Sequence, residues 1–186
     1  MKKLLPVFAA SCLFQLASAA PIYYFTNLNA ASENPPNAST ATGTAEVIFD
    51  SAADTMRVVV VFSGLTGPIT GAHIHCCVAA PGNVGIASTA GGVFPGFPAG
   101  TSGVYDQTLS TAQATTFRAA FGGGTVAGAE AALAAGLGNG QAYLNLHTSA
   151  NPGGEIRGFL QTAPEPGTFV LLSGALGAIV LLRRRK

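Results

Sequence analysis

Residues 44–62 read Thr44-Ala-Glu-Val-Ile-Phe-Asp50, then Ser-Ala-Ala-Asp-Thr, then Met56-Arg-Val-Val-Val-Val-Phe62. Both outer runs are rich in β-branched and apolar residues, which is typical of strands, and the small and polar residues between them are typical of a turn. The stretch therefore predicts a β-hairpin.

Further strand candidates surround this hairpin and predict a mainly β domain. They are residues 22–29, 69–76, 103–108, 141–147 and 155–161. Because the strands are short and separated by turn signals, the pattern favours an immunoglobulin-like sandwich or an open barrel over an α/β fold.

The connections carry their own signals. Residues 81–98 are crowded with Gly and Pro and predict a long surface loop, whose Phe94 and Phe97 either cover the core or mark a contact site. One or two short helices are expected later in the chain. The first follows the capping-box residues Ser110 and Gln113 and covers residues 114–121, and the second covers residues 126–135 with Thr125 as its N-cap.

The N-terminus reads as a processing signal. Lys2 and Lys3 precede an apolar stretch, and Ala17-Ser-Ala19 is a small-residue exit. This combination predicts a signal peptide over residues 1–19, cleaved after Ala19 by the export machinery.

The C-terminus carries a second signal of three parts. The motif Pro164-Glu165-Pro166 precedes an apolar run over residues 167–182 and a basic end over residues 183–186. The apolar run predicts a transmembrane helix, and the basic end would remain cytoplasmic. Residues 163–186 resemble the PEP-CTERM sorting tail of Gram-negative bacteria, which implies processing by an exosortase-type enzyme. The expected route is therefore an inner-membrane intermediate followed by the cell surface or the extracellular space.

Removing both ends leaves residues 20–162, a length that suits one domain. This part contains three arginines, seven acidic residues and no lysine, so its net charge is −4. Such a domain cannot supply the phosphate-neutralising contacts that dominate nucleic-acid affinity. Nucleic acid is therefore excluded as an expected partner.

Six short segments of this domain resemble the CHRD domain family, first described as repeats in chordin. They are Glu33-Asn-Pro-Pro36 with Ala41-Thr-Gly-Thr-Ala45, Phe62-Ser-Gly-Leu-Thr66, Ala72-His-Ile-His75, Ala142-Tyr-Leu-Asn-Leu-His-Thr148, and Asn151-Pro-Gly-Gly-Glu-Ile-Arg-Gly158. The chain departs from the family at Cys76-Cys77, where glycine is common. The resemblance implies a β-rich extracellular domain, and no growth-factor role carries over.

The three histidines suggest a metal site. On a strand, side chains alternate between faces, so His73, His75 and Cys77 would share one face, and His147 would lie opposite the core on a later strand. We expect His73, His75 and His147 to converge, with Cys77 or Glu155 as a further ligand or as an orienting partner. Such a donor set suits zinc or copper.

Other interpretations of these residues stay open at this stage. The histidines could hydrogen-bond backbone groups and fix a turn, and Glu155 with Arg157 could form a cross-strand surface pair. Cys76 and Cys77 could form a mutual disulfide, remain free thiols with one as a ligand, or bridge two molecules.

The sequence as a whole favours a non-enzymatic, exported binding or structural module, directed to the cell surface or matrix. An extracellular matrix component or a surface polymer would be its partner, and the C-terminal helix would attach it to the membrane. The alternative is a small mononuclear zinc or copper protein with redox or hydrolytic chemistry at the histidine site.

Overall fold

The computed structural model describes residues 20–162, which contain eight strands and one α-helix. The strands are β1 (Ile22–Asn29), β2 (Thr42–Asp50), β3 (Thr55–Ser63), β4 (Ile69–Cys76), β5 (Gly103–Ser110), β6 (Ala142–Thr148), β7 (Ile156–Phe159) and β8 (Gln161–Thr162), and the helix is α1 (Val126–Gly138). The prediction of a mainly β domain is confirmed. The expected signal peptide and transmembrane helix lie outside the described residues.

The strands form one curled, half-barrel sheet in the order β4-β6-β7-β1-β2-β3-β5, and β8 pairs with β1. Neighbouring strands are antiparallel. Because β1 pairs with β2 on one side and with β7 and β8 on the other, the pairing is continuous. The strands therefore form one continuous sheet that curls into a half-barrel, a sandwich-like architecture in keeping with the sandwich or open barrel expected from the sequence.

The hairpin predicted at residues 44–62 is present as β2 and β3, in a register that pairs Asp50 with Thr55. Its turn is stabilised by Asp50, whose carboxylate accepts hydrogen bonds from the backbone N–H groups of Ala52 and Ala53, each at 3.0 Å. Along β3 the side chains alternate between faces. Met56, Val58, Val60 and Phe62 are buried in the core, and their neighbours face outward.

The loop between β4 and β5 covers the free edge of β4. The backbone N–H of Ala72 donates to Gly92, and the N–H of Phe94 donates to Ala72 in return. Phe94 and Phe97 are both buried and pack against Tyr105, with ring centroids 5.7 and 4.9 Å away. These two phenylalanines therefore cover the core, which was one of their two expected roles.

The helix predicted at residues 126–135 is confirmed. Thr125 is its N-cap and accepts a hydrogen bond from the N–H of Gly128, and the helix continues to Gly138. Within residues 20–162 no helix has the length and apolar character that crossing a membrane requires.

The helix predicted at residues 114–121 is wrong. This segment contains short 3₁₀ turns at Ala114–Thr116 and Phe121–Gly124, and Gln113 makes no side-chain capping bond. Phe117 is drawn into an extended conformation, where it forms a β-bridge with Ser88. Tertiary pairing with the loop thus overrides a local helix signal.

Candidate metal centre

The three histidines lie on one face of the sheet because of the register between β4 and β6. This register pairs Gly71 with His147, His73 with Asn145, and His75 with Tyr143. Directly opposed residues of an antiparallel pair project to the same face, so the three imidazoles are neighbours. The alternate residues Ile74, Leu144 and Leu146 are fully buried in the core, as the strand periodicity predicted.

Gly71 makes room for the third imidazole. A Cβ at Gly71 would lie only 3.1–3.2 Å from atoms of the His147 side chain, which occupies the space opposite this glycine. The ring of His147 is thereby brought to within 4.7 Å of the ring of His73, measured between centroids. Sequence reasoning did not single out this glycine, although its place directly before the Ala72-His-Ile-His75 segment was a usable signal.

The potential ligand atoms of His73, His75 and His147 all lie within 4.8 Å of one another. Within this group the Nε2 atoms of His73 and His75 are 3.0 Å apart. With Zn–N bonds of about 2.0–2.1 Å, two donors of one ion lie at most about 4.2 Å apart, so the widest pair of this cluster would close by up to about 0.6 Å on binding an ion.

Backbone carbonyl groups orient the three rings. The Nδ1 atoms of His73, His75 and His147 lie 2.6, 2.7 and 2.9 Å from the oxygens of Gly92, Val84 and Pro152 respectively. A carbonyl oxygen can only accept, so each Nδ1 carries a hydrogen and donates it. In the neutral ring the Nε2 atom is then left with a free lone pair. Metal-ligating histidines usually donate their other ring N–H to a backbone carbonyl or a carboxylate in this way.

Burial keeps these rings neutral. Desolvation lowers the pKa of His73 to about 3 and that of His75 to about 4, although the hydrogen bonds to backbone carbonyls oppose the shift. Burial also lowers the pKa of His147. Two neutral rings whose Nε2 lone pairs face each other at 3.0 Å cannot hydrogen-bond, so the contact between His73 and His75 is unfavourable without a cation between them.

His147 also has a ring nitrogen without a hydrogen-bond partner among the described residues. Its Nε2 atom is shielded from solvent and has no hydrogen-bond partner among residues 20–162. An unsatisfied buried nitrogen costs free energy comparable to a lost hydrogen bond. The Nε2 lone pair of His147 therefore accepts no hydrogen bond from any of residues 20–162.

Cys77 does not join the three histidines. A disulfide bond connects it to Cys76, and both sulfurs lie beside helix α1, at 3.5 and 3.9 Å from the carbonyl oxygen of Ala132. The expectation of Cys77 as a metal ligand is therefore wrong, because β4 ends at Cys76 and strand alternation does not extend to residue 77. The mutual disulfide, one of three states left open by the sequence, is the one observed.

Glu155 does not join the histidines either. Its carboxylate is fully buried and accepts hydrogen bonds from the hydroxyl groups of Ser39, Thr66 and Thr148 and from the N–H of Thr66. Burial by itself would raise the pKa of Glu155, yet these hydrogen bonds together hold it below its ordinary value. The expectation of Glu155 as a ligand is wrong because its oxygens already have four donors.

Arg157 is also buried, with 1% of its surface exposed, so it does not form the surface pair with Glu155 that the sequence left open. Its guanidinium donates to Asn83 at 2.7 Å and to the carbonyl of Pro81 at 2.8 Å, and it lies 3.8 Å from Glu33. The same group sits 4.7 Å above the ring of Tyr143, which stacks on His75 with centroids 4.6 Å apart. His75 of the cluster thus stacks on Tyr143, and Tyr143 in turn contacts the guanidinium of Arg157.

Comparison with known proteins identifies a family for this architecture. The family model of the CHRD domain matches residues 24–160. No curated protein and no solved structure matches the chain. The match covers most of β1, all of β2 to β7, the histidine cluster and the buried Arg157.

Proposed function

Because the chain belongs to the CHRD domain family, we propose that it is a non-enzymatic, exported module that binds one transition-metal ion, zinc or copper. His73, His75 and His147 are the ligands. Each contributes its Nε2 atom, and the sheet with its covering loop holds the rings in place.

One observation carries this proposal: the three imidazoles meet within 4.8 Å, and the Nδ1 of each lies at hydrogen-bond distance from a backbone carbonyl. In this arrangement each Nε2 keeps its lone pair, and the Nε2 atoms of His73 and His75 lie 3.0 Å apart. Histidines that only fix turns would hydrogen-bond through whichever nitrogen is convenient and would not leave a buried Nε2 without a partner. Imidazole donors suit zinc and copper better than the hard cations magnesium and calcium.

Elemental analysis tests the proposal. Full-length protein is stripped with a chelator, dialysed against Zn²⁺ or copper, and desalted. We expect about one equivalent of metal per chain for the wild type and a loss of most of it for His147→Gln, which keeps a polar side chain but removes the imidazole.

A matched control is Asp106→Asn, which removes a carboxylate from the exposed Arg57–Asp106 ion pair. This variant should retain the full equivalent, because an exposed pair contributes little to the fold. The proposal fails if the wild type takes up neither metal, or if His147→Gln binds as much as the wild type.

The exported location is part of the same proposal and is supported by the sequence patterns of the two ends. Residues 1–19 would be removed during export, and an exosortase-type enzyme would process the chain at Pro164-Glu165-Pro166. The mature domain would then act at the cell surface or in the matrix, with a surface polymer or matrix component as its partner.

Mass spectrometry of protein recovered from the cell surface and the medium tests this route. The expected mature form begins at Ala20 and lacks the apolar run over residues 167–182. A mature form that still ends at Lys186 would contradict sorting-coupled cleavage, whatever its metal content.

A further inference from the structure

We propose that the ion held by His73, His75 and His147 is monovalent copper, and that the centre selects Cu⁺ over Zn²⁺. This inference rests on the proposed metal-binding function and adds the identity and charge of the ion. It follows from three properties of the centre: the charge of the donors, the charge of the surroundings, and the number of donors.

The donor set carries no negative charge. The cluster of potential ligands consists of three imidazoles, and no cysteine or carboxylate of residues 20–162 joins it. Cys77 is bonded to Cys76, and Glu155 is saturated by the hydroxyl groups around it. A dication bound here would keep both of its charges, whereas a thiolate or carboxylate ligand would have cancelled part of them.

The surroundings add positive rather than negative charge. Arg157 carries a buried positive charge close to His75. It is fixed in this position by three hydrogen bonds, and it stands above Tyr143, the ring that stacks on His75. Glu33 lies 3.8 Å from Arg157, but burial raises the pKa of Glu33 to about 7, so it offsets that charge only in part.

Burial increases the effect of these charges on the free energy of binding an ion. His73 and His75 are 4% and 8% exposed, and the Nε2 of His147 is shielded from solvent. The Born cost of burying an ion rises with the square of its charge, so a dication is penalised about four times as heavily as a monocation. The repulsion from the buried Arg157 is twice as large for a dication as for a monocation.

The number of donors favours the same ion. Zinc in proteins is almost always four-coordinate, and at three-histidine sites a water completes the shell. Here His73 and His75 are buried and the Nε2 of His147 is shielded from solvent, while the His147 side chain as a whole is partly exposed. Cu⁺, like Zn²⁺, has a filled d shell, but it is stable with two or three donors, whereas Cu²⁺ prefers a tetragonal shell of nitrogen and oxygen ligands. Three neutral imidazoles without a fourth protein donor among residues 20–162 therefore match Cu⁺.

Competition titrations test the inference on the full-length protein. Under anaerobic conditions with a mild reductant that leaves the disulfide intact, Cu⁺ is partitioned between the protein and bicinchoninate, which forms a coloured Cu⁺ complex. In parallel, Zn²⁺ is partitioned between the protein and a chromogenic zinc chelator. We expect one Cu⁺ per chain, bound at least about 1,000-fold more tightly than Zn²⁺. In His147→Gln the Cu⁺ affinity should fall by about 100-fold or more, whereas Asp106→Asn should match the wild type.

The outcomes separate the two proposals. One equivalent of Zn²⁺ bound as tightly as Cu⁺, or more tightly, overturns the selection of Cu⁺ and leaves the metal-binding function standing. Binding of neither ion by the wild type overturns both. Circular dichroism checks that His147→Gln is folded, and if it is not, the wild-type ratio of the two affinities alone decides the inference.

Discussion

Which nitrogen of each imidazole carries the hydrogen decides the chemistry of the cluster. A hydrogen bond from Nδ1 to a backbone carbonyl fixes this for His73, His75 and His147. The carbonyl of Gly92 also accepts the N–H of Ala72, so the same loop residue pairs with the edge of β4 and orients His73. Ring orientation is therefore built into the backbone pairing and does not depend on flexible side chains.

Glu155 has a structural role that can be separated from metal binding. Gln can keep a carbonyl oxygen at the Oε1 position, where the backbone N–H of Thr66 donates, but its NH₂ then replaces Oε2, and the hydroxyl groups of Thr66 and Thr148 lose their acceptor. We expect Glu155→Gln to lower the free energy of unfolding by about 2–3 kcal/mol, measured by urea denaturation, with metal stoichiometry unchanged in the folded protein.

The control for this change is Glu46→Gln on the outer face of β2, which should alter stability by less than about 0.5 kcal/mol. Glu155→Gln with wild-type stability would show that its four hydrogen bonds do not matter. A loss of metal in the folded variant would show that Glu155 takes part in metal binding.

Glu33 predicts a distinctive pH dependence. Burial raises its pKa to about 7, although Arg157 and a hydrogen bond from Asn145 oppose the shift, and its Oε1 has no hydrogen-bond partner among residues 20–162. The folded chain thus holds a proton that the unfolded chain releases near pH 4.5. Since the unfolded state binds fewer protons between these values, stability falls as the pH rises from about 4.5 to about 7.

Comparison with Glu33→Gln isolates this effect from that of the histidines. The stability of the wild type relative to the variant should fall by roughly 3 kcal/mol over this pH window, at about 1.4 kcal/mol for each pKa unit. Parallel pH profiles for the two proteins, from urea denaturation, would show that Glu33 ionises normally in the fold.

At the scale of elements, helix α1 is held close to β4 through a glycine. A Cβ on Gly136 would clash with Cys76 Sγ and would lie 2.7 Å from Cys77 Sγ, whereas a Cβ on Gly138 would meet nothing within 4 Å. Gly136→Ala should therefore lower the free energy of unfolding by about 2 kcal/mol or more, because the helix must move away from the disulfide.

Gly138→Ala in the same helix is the matched control. It should leave stability unchanged or raise it by up to about 1 kcal/mol, because alanine is the better helix former. Thermal melts of both variants measure the difference. Equal melting temperatures would mean that α1 can shift freely against the end of β4.

The local pattern was sufficient to predict the hairpin and α1. Two β-branched and apolar runs on either side of a polar turn defined the hairpin, and Thr125 marked the start of the helix. The pattern failed at residues 114–121, where a valid capping sequence is overruled by the β-bridge between Phe117 and Ser88. That bridge joins segments far apart in the chain, so no local signal contained it.

The candidate site was predicted in part for a similar reason. Strand parity placed His73 and His75 on one face, and it correctly assigned Leu144 and Leu146 to the core. Strand parity could not reveal that Glu155 accepts hydrogen bonds from Ser39 and Thr66, because those residues come from distant loops. The carbonyl groups that orient the rings are equally invisible in a sequence, since every residue has one.

At the scale of the whole molecule, the curled sheet has two differently covered sides. The inner side packs the apolar core against α1, and the histidine side is covered by the long loop after β4, which supplies the carbonyls of Val84 and Gly92. The proposed ion would therefore link β4, β6 and this loop. Metal binding at this site would therefore stabilise the contact between the loop and the sheet.

X-ray absorption at the metal edge of the loaded, full-length protein tests the central claim most directly. The account predicts three nitrogen donors at about 2.0 Å with the outer-shell scattering of imidazole, no sulfur donor, and loss of one imidazole in folded His147→Gln. A sulfur donor at about 2.3 Å, or a spectrum that His147→Gln leaves unchanged, would contradict a centre built from His73, His75 and His147.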